Sequence, residues 1–401
     1  MRDHLSERAL AWVLTAAILL PSAVARAVEP IERYVQPFAL GQYIFEVSLP
    51  VGLKLELVSP QLERPRIITF GPDGVMWLGS QGGAIYRAEA PYNNPVVVGR
   101  HRDYPHSVAV RDGELLIATT SALFRSRWTR KGLVQPTKVI DLPGGRGHSS
   151  RTVRVGPDER LYLSLGIRGN CDDEYLGPNY PATDRRGGIN VLDESVDPPT
   201  WKPVASGLRN PVGFDWHPQT KALYATNNGP DHLGFELPPE LFVKATPGSF
   251  HGMPWFQWDG TRHVPDNCIQ SPPPRARDVV PPPAATFPAR SAPMDMTFAR
   301  SEHLSGRFEG DAVVAIRGSW GTAPTGSGNG DPATRRPPRL AIVRFENGEA
   351  VQVEDFLTGF QLPDGRRWGR PVGIAFGPDG ALYFSSDGGI NGLFRIVESA
   401  Q

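Results

Sequence analysis

A short turn phrase recurs along this chain, each time between two apolar runs. Its clearest copies read Gly71-Pro72-Asp73-Gly74, Gly156-Pro157-Asp158-Glu159 and Gly377-Pro378-Asp379-Gly380, and weaker copies lie near residues 112, 218 and 310. Proline presets the φ angle of the second turn residue, and Asp-Gly tolerates the geometry that closes the turn. Repetition of one supersecondary unit at this period is typical of propellers and solenoids. The six hairpins predict an all-β fold, a six-bladed β-propeller.

Composition supports this fold and excludes two classes of partner. The chain has 401 residues, and its 43 glycines and 41 prolines suit a turn-rich β protein better than a helical one. The formal net charge is zero and no basic run occurs. Neither nucleic acid nor an anionic membrane surface is therefore an expected partner.

The first residues have the pattern of an export signal. Arg2 and Arg8 precede an apolar stretch at 9–20, and Ala25-Arg26-Ala27 is a small-x-small cleavage pattern. The stretch is too short to span a bilayer comfortably, so no stable membrane insertion is expected. We predict a signal peptide at 1–27, a single propeller domain at 28–401, and a periplasmic or secreted location.

Export also bears on the two cysteines, Cys171 and Cys268. Cysteines in an oxidising compartment tend to pair, and these two lie in irregular segments of the chain. A disulfide is the favoured prediction, with two buried unpaired thiols as the alternative.

The repeats divide the chain into a lead-in, six blades and three insertions. Residues 28–55 are expected to supply an edge strand that closes the ring against the last blade. The predicted blades are 56–100, 101–140, 141–200, 201–260, 290–350 and 351–399. Insertions at 168–187, 259–290 and 318–338 are expected to overhang one mouth of the channel, since long loops on a rigid scaffold are where binding usually occurs.

Two histidines precede blade hairpins at corresponding positions. His148 lies in a Gly- and Ser-rich segment just before the third repeat, and His106 precedes the second. Each is either a loop histidine without a task or a proton acceptor, since histidine titrates near neutral pH. If both face one mouth, they could share a site.

Two arginines and a turn complete the set of candidate residues. Arg209 and Arg370 lie just before matching Pro-Val-Gly segments. Each could bridge blades structurally or bind an anionic ligand. The turn Asn228-Gly229-Pro230-Asp231 could present carbonyl oxygens to Ca²⁺, or be a turn and nothing more. Clustered cations beside a Ca²⁺ site would suit a planar polyanion.

At these residues the chain resembles the glucose/sorbosone dehydrogenase family, the soluble six-bladed quinoproteins that use pyrroloquinoline quinone (PQQ). The resemblance runs from about residue 60 to 398. It is carried by five motifs in order, namely Gly147-His148 through Asp158, Gly207-Leu208-Arg209-Asn210, Asn228 through Asp231, Gly248 through Trp255, and Trp368 through Gly373.

The resemblance implies a role for each matched position. His148 corresponds to the general base that takes the proton of a sugar's anomeric hydroxyl while hydride passes to PQQ. Arg209 and Asn210 correspond to donors to the reactive quinone oxygen. Gly229 and Pro230 correspond to the carbonyl ligands of Ca²⁺.

The remaining matched positions correspond to cofactor contacts, and two departures accompany them. Arg370 and His106 match contacts to PQQ. Arg317, in Arg317-Gly-Ser-Trp, stands where related chains carry histidine, and we assign it to the cofactor as well. Ser291 also replaces a family histidine. These two changes bear on substrate identity.

A third departure bears on the base itself. Ile167 stands where the family has an acidic residue that orients the base, so Asp172 or Asp173 is expected to hold it instead.

Three functions compete at this point. The resemblance implies a PQQ- and Ca²⁺-dependent dehydrogenase that oxidises the anomeric hydroxyl or aldehyde of a sugar, such as an aldose or a sorbosone-like substrate, and passes electrons to a diffusible cytochrome or quinone. A Ca²⁺-dependent lactonase-like hydrolase would need more carboxylates at the blade entrances than the chain offers. A non-catalytic propeller that binds carbohydrate or protein is the third possibility.

Overall fold

The computed structural model describes residues 28–145, 147–172 and 186–399. The predicted signal peptide at 1–27 and Asp173 lie outside the described residues. Within the described ranges the chain is almost entirely β-structure, with 3₁₀ turns at Arg277–Val279, Leu304–Gly306 and Pro332–Thr334. None of the helices described is long and apolar enough to cross a membrane.

The chain begins with a hairpin and a single strand that precede the first complete blade. The hairpin strands β1 (Arg33–Leu40) and β2 (Tyr43–Pro50) pair with each other, and an isolated bridge joins Ser48 of β2 to Thr358. Strand β3 (Leu53–Ser59) belongs to the last blade, described below.

The first two blades each have four antiparallel strands in meander order. Blade 1 consists of β4 (Pro65–Phe70), β5 (Met76–Ser80), β6 (Ala84–Ala88) and β7 (Val96–Arg100). Blade 2 consists of β8 (Ser107–Arg111), β9 (Glu114–Ala118), β10 (Ala122–Ser126) and β13 (Thr137–Asp141), with a small hairpin of β11 (Trp128–Thr129) and β12 (Gly132–Leu133) before the last strand.

Blades 3 and 4 carry the additional short strands. Blade 3 consists of β14 (Arg151–Val155), β15 (Leu161–Leu165), β16 (Gly188–Asp193) and β17 (Thr200–Ser206). Blade 4 begins with β18 (Phe214–Trp216), β19 (Leu223–Asn227) and β20 (Glu240–Lys244). Next, β21 (Ser249–Phe250) pairs in parallel with β17, and β22 (Phe256–Trp258) pairs with β23 (His263–Pro265).

Blade 4 ends later than its predicted boundary at residue 260. Its fourth strand is β24 (Ala285–Phe287), which lies inside the predicted 259–290 insertion and pairs with β20. An outermost strand pairs on one side only, so it tolerates the Pro-rich sequence around it. The predicted boundary of this blade is therefore wrong.

Blades 5 and 6 complete the ring. Blade 5 consists of β25 (Pro293–Phe298), β26 (Ala312–Ile316), β27 (Arg339–Glu346) and β28 (Glu349–Leu357). Blade 6 consists of β29 (Gly369–Phe376), β30 (Leu382–Glu398) and β3. Strand β3 pairs antiparallel with the end of β30, with Leu53 opposite Glu398. The ring is closed by β3, which begins in the predicted lead-in at 28–55 but runs on into the predicted first blade, so the predicted boundary at residue 55 is wrong. The six-bladed β-propeller is confirmed.

The first strand of each blade lies innermost. First strands contact their neighbours around the ring, as β4 does with β8 and β29, and β25 with β18 and β29. Except in blade 5, where a longer connection with the 3₁₀ turn Leu304–Gly306 follows β25, each first strand ends in a repeat turn. In the first of these turns Gly71 N–H donates to Val75 O at 2.8 Å. The innermost strands all begin at one mouth of the channel, here called the entrance mouth, and end at the other, the turn mouth.

Candidate functional site

His148 lies at the entrance mouth, just before β14, with its imidazole held in one tautomer. Its Nδ1 is 2.6 Å from the carbonyl oxygen of Ile167. A carbonyl can only accept, so Nδ1 carries the hydrogen and Nε2 keeps its lone pair. Arg151 donates to the carbonyl oxygen of His148 at 2.7 Å and fixes the loop. The group that orients this histidine is thus the backbone of Ile167 rather than Asp172.

The surroundings of His148 keep its imidazole neutral. Burial, followed by the nearby guanidinium of Arg209, lowers the pKa of His148 from its ordinary value to about 4. At neutral pH the side chain therefore presents an unprotonated Nε2, the form that a general base requires.

We expect the imidazole of His148 in the apoprotein to titrate with a midpoint of about 4, because the folded pKa lies well below the ordinary value. The ring is neutral above that pH and becomes charged as the pH falls through it. Imidazole NMR signals recorded between pH 8 and pH 3, and assigned by their loss in His148→Ala, measure the midpoint. A midpoint near the ordinary histidine value would contradict the burial argument.

Arg209 is buried and held by a network of oxygen acceptors. Its Nη2 donates to Asn170 Oδ1 at 2.8 Å and to Asp231 Oδ2 at 2.9 Å, and its Nε donates to Asn170 Oδ1 at 3.0 Å. Asp231 also pairs with Arg290 from blade 5. Asn170 was not anticipated from the sequence, and it adjoins Cys171, whose predicted disulfide with Cys268 is present in the structure. The cross-link therefore anchors the segment that holds Arg209.

The Asn-Gly-Pro-Asp turn at 228–231 follows β19 and is held in place by the buried carboxyl group of Glu240. Glu240 accepts the Gly229 N–H at 2.5 Å and the Ala292 N–H at 3.3 Å. Burial raises the pKa of Glu240 to about 7. No described residue donates a hydrogen bond to the carbonyl oxygens of Gly229 or Pro230. Within the described residues these two oxygens are therefore available to bind a hard cation.

A cluster of guanidinium groups lies across the mouth, around Asp387. This carboxylate pairs with Arg66 and Arg317 at 2.8 Å each. Burial acts to raise the pKa of Asp387, but the two cations outweigh it and hold the pKa below its usual value. Arg370 donates to the carbonyl oxygens of Arg317 and Gly318 at 3.1 and 3.0 Å. Burial, together with the neighbouring Arg317, lowers the pKa of Arg370 to about 9.

This guanidinium cluster combines predicted and unpredicted residues. Arg317 and Arg370 were predicted at the site, whereas Arg66 and Asp387 were not. Arg317 and Asp387 share a position, because second strands run back from the turn mouth to the entrance mouth. Arg317 follows β26, and Asp387 lies inside β30 beside the residues that pair with the start of β29. The same rule applies to Ile167 and to Asn228.

His106 lies at the corresponding place in blade 2 and is completely buried. Its Nδ1 is 3.1 Å from the carbonyl oxygen of Arg151, which makes Nδ1 the donor. Its Nε2 has no hydrogen-bond partner within the part of the chain that the structure describes. Tyr104 packs edge-on against the ring at 5.3 Å between centroids. A buried acceptor without a partner is unusual and is a candidate contact for a ligand.

The blade entrances converge on one region. Val212 and Val372, from the two Pro-Val-Gly segments, form a small apolar cluster with Met294. Asn228 Nδ2 donates to the carbonyl oxygen of Pro293 at 2.8 Å, which ties blade 4 to blade 5. The arginines, the cation turn and the histidines thus share one mouth.

Gly166 holds His148 and Asn210 together in a way that sequence reasoning missed. A Cβ at this position would lie 2.5 Å from His148 Cβ and 2.6 Å from Asn210 Oδ1. Only a residue without a side chain allows both groups to approach the end of β15.

If His148 is the general base that the resemblance implies, Gly166→Ala should lower turnover by about 100-fold, since a displacement of about 1 Å costs a base that much. Steady-state kinetics after cofactor loading would measure this loss. Gly328→Ala is the matched control, because its Cβ would meet only the Trp320 ring at 3.7 Å. Equal turnover in the two variants would contradict this role for Gly166.

A cavity lies at the turn mouth, away from this cluster. It has a volume of about 560 Å³ and is lined by turn residues such as Pro72, Pro157, Pro218 and Pro378. None of the predicted site residues lines it. A closed ring of blades leaves such a funnel where its turns splay apart. The grouping of charged and titratable side chains favours the entrance mouth as the functional site.

Comparisons with known proteins agree with this architecture. No protein-family profile matches the chain. An uncharacterised protein from Borreliella burgdorferi is 24% identical over 367 residues, which cover 87% of this chain and 90% of that protein.

The similar solved structures include enzymes of known activity. The PQQ domain of a pyranose dehydrogenase from Coprinopsis cinerea is 17% identical with a TM-score of 0.69, covering 88% of this chain and 97% of that one. A member of carbohydrate-active enzyme family AA12 from Trichoderma reesei is 20% identical with a TM-score of 0.70 over the same shares of the two chains. The PQQ-bound aldose sugar dehydrogenase of Streptomyces coelicolor is 16% identical with a TM-score of 0.59, covering 88% of this chain and all of that one. The chain therefore has the β-propeller fold of the soluble PQQ-dependent sugar dehydrogenases.

Proposed function

We propose that this protein is a PQQ- and Ca²⁺-dependent sugar dehydrogenase that oxidises an anomeric hydroxyl or an aldehyde. The observation that carries the proposal is the state of His148. Its Nδ1–H is fixed on Ile167 O, its Nε2 is unprotonated, and Arg209 and Asn210 lie beside it. A base and a cationic donor at the mouth of a propeller suit removal of a proton from a substrate hydroxyl.

The arginines support the choice of cofactor. PQQ is a planar polyanion, and burying its carboxylates requires fixed cations nearby. Burial and the positive charge of Arg317 lower the pKa of Arg370. Arg66 adds a third cation to this cluster, and Asp387 is its internal carboxylate. An anionic ligand would relieve the repulsion between these guanidinium groups. The unpartnered Nε2 of His106 offers a further contact to the same ligand.

The carbonyl oxygens of Gly229 and Pro230 suit Ca²⁺. Hard divalent cations prefer oxygen ligands, including backbone carbonyls. Glu240 would hold this turn in place through the Gly229 N–H without contacting the ion itself. A Ca²⁺ ion here would lie near Arg209, which donates to the Asn228 carbonyl.

The residues can be assigned to steps of the reaction. Bound PQQ would supply the two-electron acceptor for the hydride of the substrate carbon. His148 Nε2 accepts the hydroxyl proton, while the Ile167 carbonyl stabilises the imidazolium through Nδ1–H. Arg209 and Asn210 direct donors toward the position where negative charge accumulates. Arg317, which stands in place of the family histidine and pairs with Asp387, is assigned to the cofactor.

The proposal extends to partners and location. The substrate is a small sugar, and a diffusible cytochrome or quinone removes the electrons. Removal of residues 1–27 leaves one mature propeller at 28–401 in the periplasm or outside the cell. The disulfide between Cys171 and Cys268 agrees with an oxidising compartment.

Reconstitution of the purified apoprotein with PQQ and Ca²⁺ tests this function. We expect sugar-dependent reduction of an artificial dye only when both cofactors are present, and a panel of aldoses and sugar aldehydes then identifies the substrate. Hydrolysis of a sugar lactone without PQQ would instead indicate a lactonase. Sugar binding without either reaction would indicate a non-catalytic propeller.

A further inference from the structure

A cluster of side chains that could bind a metal ion lies where the two disulfide-linked loops meet. Cys171, His232 and Cys268 each offer a ligand atom, and these atoms all lie within 4.8 Å of one another. His232 Nδ1 is 3.9 Å from Cys171 Sγ. The three residues come from three different segments of the chain, so the fold alone brings them together.

A buried carboxylate orients the imidazole of this cluster. His232 Nε2 lies 2.9 and 3.1 Å from the two carboxylate oxygens of Asp266. Since a carboxylate accepts, Nε2 carries the hydrogen and the Nδ1 lone pair faces the sulfur atoms. Asp266 is itself held by Gln257 Nε2 at 3.0 Å and by the Cys268 N–H at 3.0 Å. A histidine whose far nitrogen donates to a carboxylate is the usual arrangement of a metal-binding histidine.

We propose that this cluster is a redox-gated zinc site, closed as a disulfide when oxidised and able to bind Zn²⁺ when reduced. The metal would be held by the thiolates of Cys171 and Cys268 and by His232 Nδ1, with a fourth position for water. Two thiolates and one imidazole form a ligand set that zinc favours. The cysteines are half-buried and His232 is exposed, so a metal ion can reach them.

Opening the disulfide requires a reductant, and a thiol reductant can supply the electrons. A dithiol supplies two electrons and two protons to the disulfide and is itself oxidised to a disulfide. Zinc then displaces the two protons from the new cysteine thiols. In either state the loops stay joined next to Asn170, the acceptor that holds Arg209. The site would thus preserve this support under reducing conditions.

The test uses the purified full chain and Co²⁺ as a spectroscopic probe for zinc. After reduction with a phosphine under anaerobic conditions, Co²⁺ should produce thiolate-to-cobalt charge-transfer absorption that saturates at one equivalent, and Zn²⁺ should abolish it. The oxidised protein should give no such band. The double variant Cys171→Ser, Cys268→Ser should give none after reduction.

Single substitutions separate a built site from two adjacent thiols. Asp266→Asn should weaken Co²⁺ affinity by about 10–100-fold, as expected for loss of a carboxylate that orients a ligand. His232→Ala should weaken it at least as much, and this exposed residue can be replaced with little risk to the fold. His101→Ala is the matched control, because this histidine packs on Phe124 outside the cluster. Unchanged affinity in His232→Ala, or absence of the charge-transfer band in the reduced protein, would overturn the proposal.

Discussion

Replacing His148 with alanine is expected to lower the turnover of the reconstituted protein by about two to four orders of magnitude, the usual contribution of a general base. The reason is the position of the proton acceptor, since Nε2 is the nitrogen that Ile167 leaves free. PQQ affinity should change far less, because the arginines that would bind the cofactor belong to other blades. Turnover at saturating PQQ and the dissociation constant of PQQ, from fluorescence quenching, measure the two effects separately.

Two controls define the result. His101→Ala removes an imidazole that packs on Phe124, and it should leave both quantities unchanged. Melting temperatures of both variants show whether the fold is intact. Near-normal turnover of His148→Ala with saturating PQQ would show that another group takes the proton.

The fold could be predicted because its information is local and repeated. Each copy of the turn phrase favours the same hairpin without help from distant residues. Gly71 N–H donates to Val75 O at 2.8 Å, and Gly377 N–H donates to Ala381 O at the same distance. The outer strands were harder to predict. Strand β24 is three residues long and lies among prolines, and it is a strand only because β20 offers an edge for pairing. No local pattern specifies such a strand.

The site could be predicted only in part, for a related reason. His148 and Arg209 precede first strands and Arg370 lies at the start of one, and the repeat marks those positions. Glu240 and Asp387 lie elsewhere in their blades and join the site through pairing across blades. Nothing near Asp387 in the sequence indicates that Arg66, more than 300 residues away, would be its partner.

The expectation about Ile167 illustrates a further limit. An apolar residue in place of a carboxylate suggested that a nearby acidic side chain would orient the histidine. The backbone carbonyl at the same position makes the contact instead, at 2.6 Å. Backbone groups are present at every residue, so a pattern of side chains cannot reveal which of them a fold will use.

Ca²⁺ and PQQ are expected to bind as a coupled pair, with chelation of Ca²⁺ weakening PQQ binding by about 5–150-fold, the usual range for coupled sites. We expect this coupling because Arg209 donates to the carbonyl oxygen of Asn228, which belongs to the cation turn. A divalent cation at that turn would add to the positive charge that the cofactor meets. Added PQQ should raise the apparent affinity for Ca²⁺ by the same factor, since linkage is reciprocal.

Titration calorimetry can measure both legs of this cycle in the apoprotein, with no need for turnover. His148→Ala is the matched control, because it should lower turnover strongly and keep the coupling. Loss of coupling in that variant would place the histidine in the binding network rather than in the chemical step. Independent binding of the two ligands in the unaltered protein would mean that Gly229 and Pro230 do not hold a Ca²⁺ ion beside the cofactor. Coupling at both legs would connect the Gly229 and Pro230 carbonyls of blade 4 to the arginine cluster of blades 1, 5 and 6 through a single ligand.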